Sequence, residues 1–119
     1  MNRILFDGDH VVVKPRGWAK IFGFRRELRL QASNVRHVAA DSGIGSRSPE
    51  SRLMGTSLPG RYMGTFLAEG RASYWNVRDP RQNIVLELVN EGFRKAVLTV
   101  EDPEGEERRI RSFLAEHRQ

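Results

Sequence analysis

Between residues 14 and 36 the chain carries seven cations, Lys14, Arg16, Lys20, Arg25, Arg26, Arg29 and Arg36, against one acid, Glu27. Trp18 and Phe22 stand among them. A basic run attracts phosphate, nucleic acid or anionic lipid headgroups, and aromatic side chains beside cations suit a lipid interface. The candidate binding residues are therefore Lys14, Arg16, Trp18, Lys20, Phe22, Arg25 and Arg26. They come from a strand end and the connection after it, so they can converge on one rim. Each cation near an anionic surface contributes about 1 kcal/mol at most, screened by salt, so the expected association is weak. The competing reading is a solvated face, with Trp18, Ile21 and Phe22 folded back onto the core.

Catalytic chemistry has no comparable signal. His10, His37 and His117 are far apart in sequence and show no metal-ligand spacing. The chain has no cysteine, which removes thiolate chemistry and disulfides. The run 43–48, GIGSRS, lacks both the Lys-Ser/Thr of a phosphate loop and the pattern of a nucleophile elbow. Glu87 is the one acid within a core strand pattern, so no carboxylate pair offers acid–base work. The expectation is a non-enzyme with no catalytic residue, no metal and no cofactor. Nucleic acid is not the expected partner, because the familiar strand, helix-turn-helix and zinc-finger signatures are missing.

The elements that must position these residues are mostly strands. Alternating or β-branched runs occupy 10–14, 27–31, 35–40, 61–68, 71–78, 83–89 and 94–100. Asp7-Gly8-Asp9 reads as a turn before the first of them. Short turns at Glu69-Gly70, at 79–82 and around Glu91-Gly92 predict that the last four strands form an antiparallel meander. A two-residue loop at Glu69-Gly70 would pair Phe66 with Ser73, Gly64 with Trp75 and Tyr62 with Val77. Ile84, Leu86 and Leu88 must share a face with Ala96, Leu98 and Val100, which requires an odd loop, placed at Glu91-Gly92-Phe93. Trp75 and Val77 are expected to face the core with Phe66, and Tyr74 and Asn76 the other side.

One helix closes the pattern. Asp102 is a good N-cap and Pro103 a good first residue, while Glu104, Glu106 and Glu107 favour the positive end of the helix dipole. Ile110, Phe113, Leu114 and His117 repeat at helical spacing, so this stripe should lie on a sheet. The Gly/Ser/Pro-rich stretch 41–60 reads as a flexible loop, the most mobile internal segment, or as the cover of a small-molecule site.

With 119 residues and 39% hydrophobic content, the chain fits one domain. No apolar run reaches membrane-spanning length. The opening MNRILFDGDHVVV meets charge and glycine before a signal-peptide core develops, so the expected location is cytoplasmic, peripheral to a membrane where the basic run engages one.

Seven strands, four of them in a meander, followed by a C-terminal helix resemble the order of the pleckstrin-homology (PH) fold. LRLQASNVRHV (28–38) resembles a bacterial PH-like strand pair, and the stretch 64–104 resembles a group of actinobacterial PH-like proteins of uncharacterised function. The resemblance runs from Val11 to His117 and its motifs are structural: Asp79-Pro80, Glu69-Gly70 and Asp102-Pro103. It implies a seven-stranded antiparallel barrel or sandwich capped by a helix. PH domains that bind phosphoinositides carry a Lys at the end of the first strand, which Lys14 suits, and a K/R-x-R pair in the second. Here Arg25-Arg26-Glu27 ends that pair in an acid, which breaks the specific motif. The expected function is a PH-like interaction module for an anionic lipid surface or a protein partner. The alternatives are a homo-oligomeric scaffold and an enzyme or small-molecule binder with its site under 41–60.

Overall fold

The computed structural model describes residues 2–14, 27–41, 51–58, 61–68, 70–79 and 81–117. Among them nine strands and one helix follow in order: β1 (Arg3–Asp7), β2 (His10–Lys14), β3 (Leu28–Gln31), a 3-10 turn (Ala32–Asn34), β4 (Val35–Asp41), β5 (Ser51–Leu58), β6 (Arg61–Ala68), β7 (Arg71–Val77), β8 (Asn83–Leu88), β9 (Lys95–Thr99) and α1 (Pro103–His117). They form a three-stranded sheet, β1-β2-β3, and a six-stranded sheet ordered β4-β8-β9-β7-β6-β5. The protein is thus mainly β, with two sheets and one C-terminal helix.

Two strands are additional to the seven expected. Asp7-Gly8-Asp9 does not precede the first strand but turns β1 into β2: Asp7 pairs with His10, and Gly8 takes φ 62°. Glycine with positive φ at the first position of a two-residue loop matches the twist of a hairpin. Ile4-Leu5-Phe6 carries no polar alternation, which is why the pattern hid β1. Part of the supposed 41–60 loop is also a strand, since β5 pairs along β6 with Gly55 opposite Gly64. Its Ser and Gly content gives it poor strand propensity, and pairing with β6 overrides that. Asp41 ends β4, and the remainder of that stretch, 42–50 and 59–60, lies outside the described residues.

The expected meander is corrected more deeply. The β6–β7 hairpin has the predicted register, with Phe66 opposite Ser73, Gly64 opposite Trp75 and Tyr62 opposite Val77. β7 and β8, however, are not neighbours. β9 runs between them, parallel to β7 and antiparallel to β8. The 79–82 connection is therefore an arch one strand wider than a hairpin. Asp79 Oδ1 accepts from Arg81 N–H (2.9 Å), and the Asp79 carbonyl accepts from Gln82 N–H (3.2 Å). Thr99, fully buried, fills the arch: its hydroxyl oxygen accepts from Arg78 N–H (2.8 Å) and Asp79 N–H (3.2 Å), and the hydroxyl donates to Asn83 Oδ1 (2.7 Å). Short-turn reasoning assumes that consecutive strands pair, and here one side chain's bonds favour insertion instead.

Leu86 pairs with Ala96 and Ile84 with Leu98, so the β8–β9 loop has the odd parity that the matched faces demanded. Its centre, Glu91, lies one residue before the one implied by Glu91-Gly92-Phe93, with Asn90 at φ 57°, a left-handed position that Asn tolerates.

The main core lies between the two sheets. Ile4, Val11, Val13 and Leu30 from the small sheet meet Val38, Ile84, Leu86, Ala96 and Leu98 from the large one, and Ile110, Phe113 and Leu114 from α1 close it. Burying each such side chain stabilises the fold by about 1.5–3 kcal/mol. Alternation in β7 holds, but its sides are exchanged. Tyr74 packs against this main core, and Trp75 and Val77 form a separate buried cluster with Val97 on the opposite face. Both faces of β7 carry packed side chains, so alternation alone could not say which faces the larger core.

The helix begins where expected. Asp102 Oδ1 accepts from Gly105 N–H (3.2 Å), and the Asp102 carbonyl accepts from Glu106 N–H (2.8 Å). A Cβ at Gly105 would meet the Asp102 carboxylate, which would have to shift to make room. Phe113 stacks on Phe6 at 4.4 Å, which ties α1 to the small sheet. On the outer side of β4, Ala40 N–H donates to Glu107 Oε1 (2.6 Å) and Arg111 Nη2 donates to the Val38 carbonyl (3.3 Å).

Candidate functional site

Cross-strand pairing lays rows of side chains over the large sheet. His37 pairs with Glu87, Glu87 with Lys95 and Lys95 with Ser73, so these four form one row across β4, β8, β9 and β7. The next row on the same face is apolar, with Val85, Val97 and Trp75. The polar row stands at the end of the sheet where β4, β7 and β9 begin and β8 ends.

At that end an open cleft of about 760 Å³ is lined by Arg36, His37, Arg71, Glu87, Leu88, Val89, Arg94 and Lys95. The cations reach it from three strands. Arg36 sits at the bulge that opens β4, between Val35 and His37. Arg71 begins β7, directly after Gly70, whose φ of 75° makes the preceding turn. Arg94 and Lys95 lead into β9, which is parallel to β7, so their positions and that of Arg71 fall at one end. Arg94 is fixed through its backbone: its N–H donates to the Ala72 carbonyl and its carbonyl accepts from Leu88 N–H, both at 2.9 Å.

The charge here is unbalanced. Among the described residues, four cations share the cleft with one carboxylate, Glu87. Among the described residues no salt bridge reaches Arg36, Arg71 or Arg94. Arg94 Nε is buried without a hydrogen-bond partner. Lys95 Nζ lies 5.5 Å from the centre of the Trp75 ring, within cation–π range. Glu91, in the nearby loop, is engaged by Asn34 Nδ2 at 2.8 Å. What this arrangement can do chemically is hold an anion. His37 and Glu87 are both exposed, so the cleft offers charge rather than a water-excluded reaction chamber.

Of the residues singled out from sequence, Lys14 alone is described. It ends β2 and pairs with Glu27 at 3.3 Å, and Glu27 also reaches Arg29 at 3.6 Å. Arg16, Trp18, Lys20, Phe22, Arg25 and Arg26 lie outside the described residues. Lys14 does not belong to the cleft. Its cross-strand partner is Arg3, and the neighbouring Asn2 bonds Thr99 at the far end of β9. Lys95 and Thr99 are four residues apart, about 13 Å along a strand. Sequence reading included Arg36 in the basic run without assigning it to a site, and missed Arg71, Arg94 and Lys95. A parallel β7–β9 pair was the signal needed to bring these last three together.

The three histidines stay apart. His10 Nδ1 contacts Asp9 at 2.9 Å, His37 lines the cleft, and His117 Nδ1 lies 2.9 Å from the Phe113 carbonyl. Among the described residues no three His, Cys, Asp or Glu side chains gather as a metal would require. No helix of the described residues is long and apolar enough to cross a membrane. A second groove of about 370 Å³, near Asn2, Arg3, Glu101 and Asp102, mixes both signs of charge, and Arg109 on its wall pairs with Glu106. No family model, curated protein or solved structure matches the chain.

Proposed function

We propose that this protein is a non-enzymatic interaction module that docks an anionic partner, a protein surface or a membrane surface, in the cleft between β4, β7, β8 and β9. The observation that carries the reading is the convergence of Arg36, Arg71, Arg94 and Lys95 on one open cleft with Glu87 as the opposing charge. Bringing several like charges together costs free energy unless counterions or a ligand neutralise them. The small sheet arranges its charges differently, with Lys14 on Glu27 and Arg29 on Asp7. The two sheets followed by a C-terminal helix fit a PH-like relationship, while the parallel β7–β9 pair departs from the all-antiparallel order that relationship implies. The functional reading therefore rests on the cleft and not on the resemblance.

Retention on an immobilised polyanion such as heparin tests it. A variant with Arg36, Arg71, Arg94 and Lys95 all changed to Gln should elute at clearly lower salt than the parent. A control with Lys14 and Arg29 changed to Gln should elute close to the parent. Equal loss in the two variants would mean that net charge alone drives adsorption, and the cleft would have no special role.

A further inference from the structure

We infer that the cleft takes the terminal phosphate of a small organic phosphate, bound as a dianion. This rests on the reading of the cleft as an anion site and narrows it to one ligand chemistry. Three of the four cations are arginines. A guanidinium presents paired N–H donors in a plane, spaced to meet two oxygens of one anion. Arg36, Arg71 and Arg94 come from the starts of β4 and β7 and the approach to β9, so three arginines line one cleft. A planar carboxylate has two oxygens and is filled by one fork. A terminal phosphate has three equivalent oxygens and can engage several forks at once.

Charge and size agree with this. Among the described residues, and after Glu87 is counted, the positive excess in the cleft is larger than a monoanion balances. The cleft, at about 760 Å³, is much larger than a phosphate group and lies within the span of about 300–1,000 Å³ usual for small-ligand sites. Leu88 and Val89 on its wall give the organic remainder an apolar surface. Such a phosphate can arrive free in solution or at the end of a lipid headgroup, and the chemistry at the arginines is the same.

Calorimetric titration of the full chain with phenyl phosphate and with benzoate, probes that share a ring and differ in the anion, tests the inference. Phenyl phosphate should bind at least about tenfold more tightly than benzoate at pH 7.5, and less tightly at pH 5, where a phosphomonoester with its second pKa near 6 has lost one charge. Arg94→Lys keeps the charge and removes the fork, so it should weaken phenyl phosphate about tenfold. Arg71→Gln, at an exposed position where folding is not at stake, should weaken it as well. Cosedimentation with vesicles containing phosphatidic acid or phosphatidylserine separates the sources. Binding of phosphatidic acid vesicles without binding of phenyl phosphate assigns the group to a lipid, and the reverse assigns it to a soluble molecule. If benzoate or polyglutamate binds as tightly as phenyl phosphate, the cleft is an anion site without phosphate selectivity: this inference falls and the docking function stands. If none of these anions or vesicles binds, both fall. If Arg71→Gln and Arg94→Lys bind phenyl phosphate like the parent, the site is elsewhere and the inference is overturned.

Discussion

The small sheet and the β7–β9 end of the large sheet are both rich in charge, and they handle it in opposite ways. On the small sheet, Arg29 lies 2.9 Å from Asp7 and 3.6 Å from Glu27, and Glu27 also holds Lys14. At the large sheet's end, Arg36, Arg71 and Arg94 find no carboxylate partner among the described residues. The first arrangement is what a solvated surface does with its charges. The second leaves positive potential for something else to neutralise. A dense basic run in sequence is thus a poor guide to a basic site in space, because cations distant in the chain can gather while neighbouring ones meet acids.

The contrast predicts unequal responses to substitution. The largest effect should come from beneath the small sheet and not from its surface charges. Phe113→Ala removes the ring that stacks on Phe6 and should cost about 3–5 kcal/mol in denaturant melts. A loss below about 1 kcal/mol would mean that the helix is not holding the small sheet, and its ion pairs would have to be weighed again.

Thr99→Val comes next. It strips the acceptor from two backbone N–H groups and the donor from Asn83 inside the arch, which should cost about 1–3 kcal/mol. Because the arch keeps β9 between β7 and β8, polyanion retention should fall together with stability. Loss of stability with full retention would show that the cleft does not depend on the strand order.

Arg71→Gln should be smaller in stability and opposite in meaning: no change or a slight gain, within about 0.5 kcal/mol, while polyanion retention falls. A clear destabilisation would reveal a structural partner for Arg71 and break the contrast between the two regions.

The smallest effects are those of pH on exposed or half-buried groups. The hydrogen bond from Arg29, and then its charge, hold the Asp7 carboxyl below its ordinary value. A carboxyl lowered in the folded state stabilises above its unfolded pKa, and that contribution fades as pH falls through the folded value. Acid titration of Asp7→Asn should therefore be slightly flatter than that of the parent in this range. Tyr74 behaves in the opposite sense. Burial raises its phenol, against a smaller lowering by the hydrogen bond with Asn76, so its contribution is complete below about pH 10 and is lost as pH rises through the folded value. Tyr74→Phe should remove that alkaline loss, and an unchanged alkaline melt would show that another group controls it.

Local chemistry made several elements legible. Gly70 fixed the β6–β7 register, and Asp102-Pro103 fixed the start of α1 with Ile110, Phe113 and Leu114 inward. Each of these depends on residues within a turn or two of one another. β1 escaped because Ile4-Leu5-Phe6 does not alternate, and β5 because Ser51–Leu58 looks like loop. The order β8-β9-β7 was hidden for a different reason. Asp79-Pro80 reads the same whether it makes a hairpin or an arch, and the choice is made by Thr99, some twenty residues later. The cleft inherits that difficulty, since Arg71 meets Arg94 and Lys95 only through the parallel pair.

Glu107 and Arg111 occupy the Ala40 N–H and the Val38 carbonyl, the groups with which β4 would otherwise recruit a strand from another molecule. The helix is thereby a guard against aggregation as well as a wall of the core. A truncation that removed it would strip the core and bare a template in one step. The product would be adhesive as well as less stable, able to add strands edge to edge and grow into fibrils, which thioflavin fluorescence would follow.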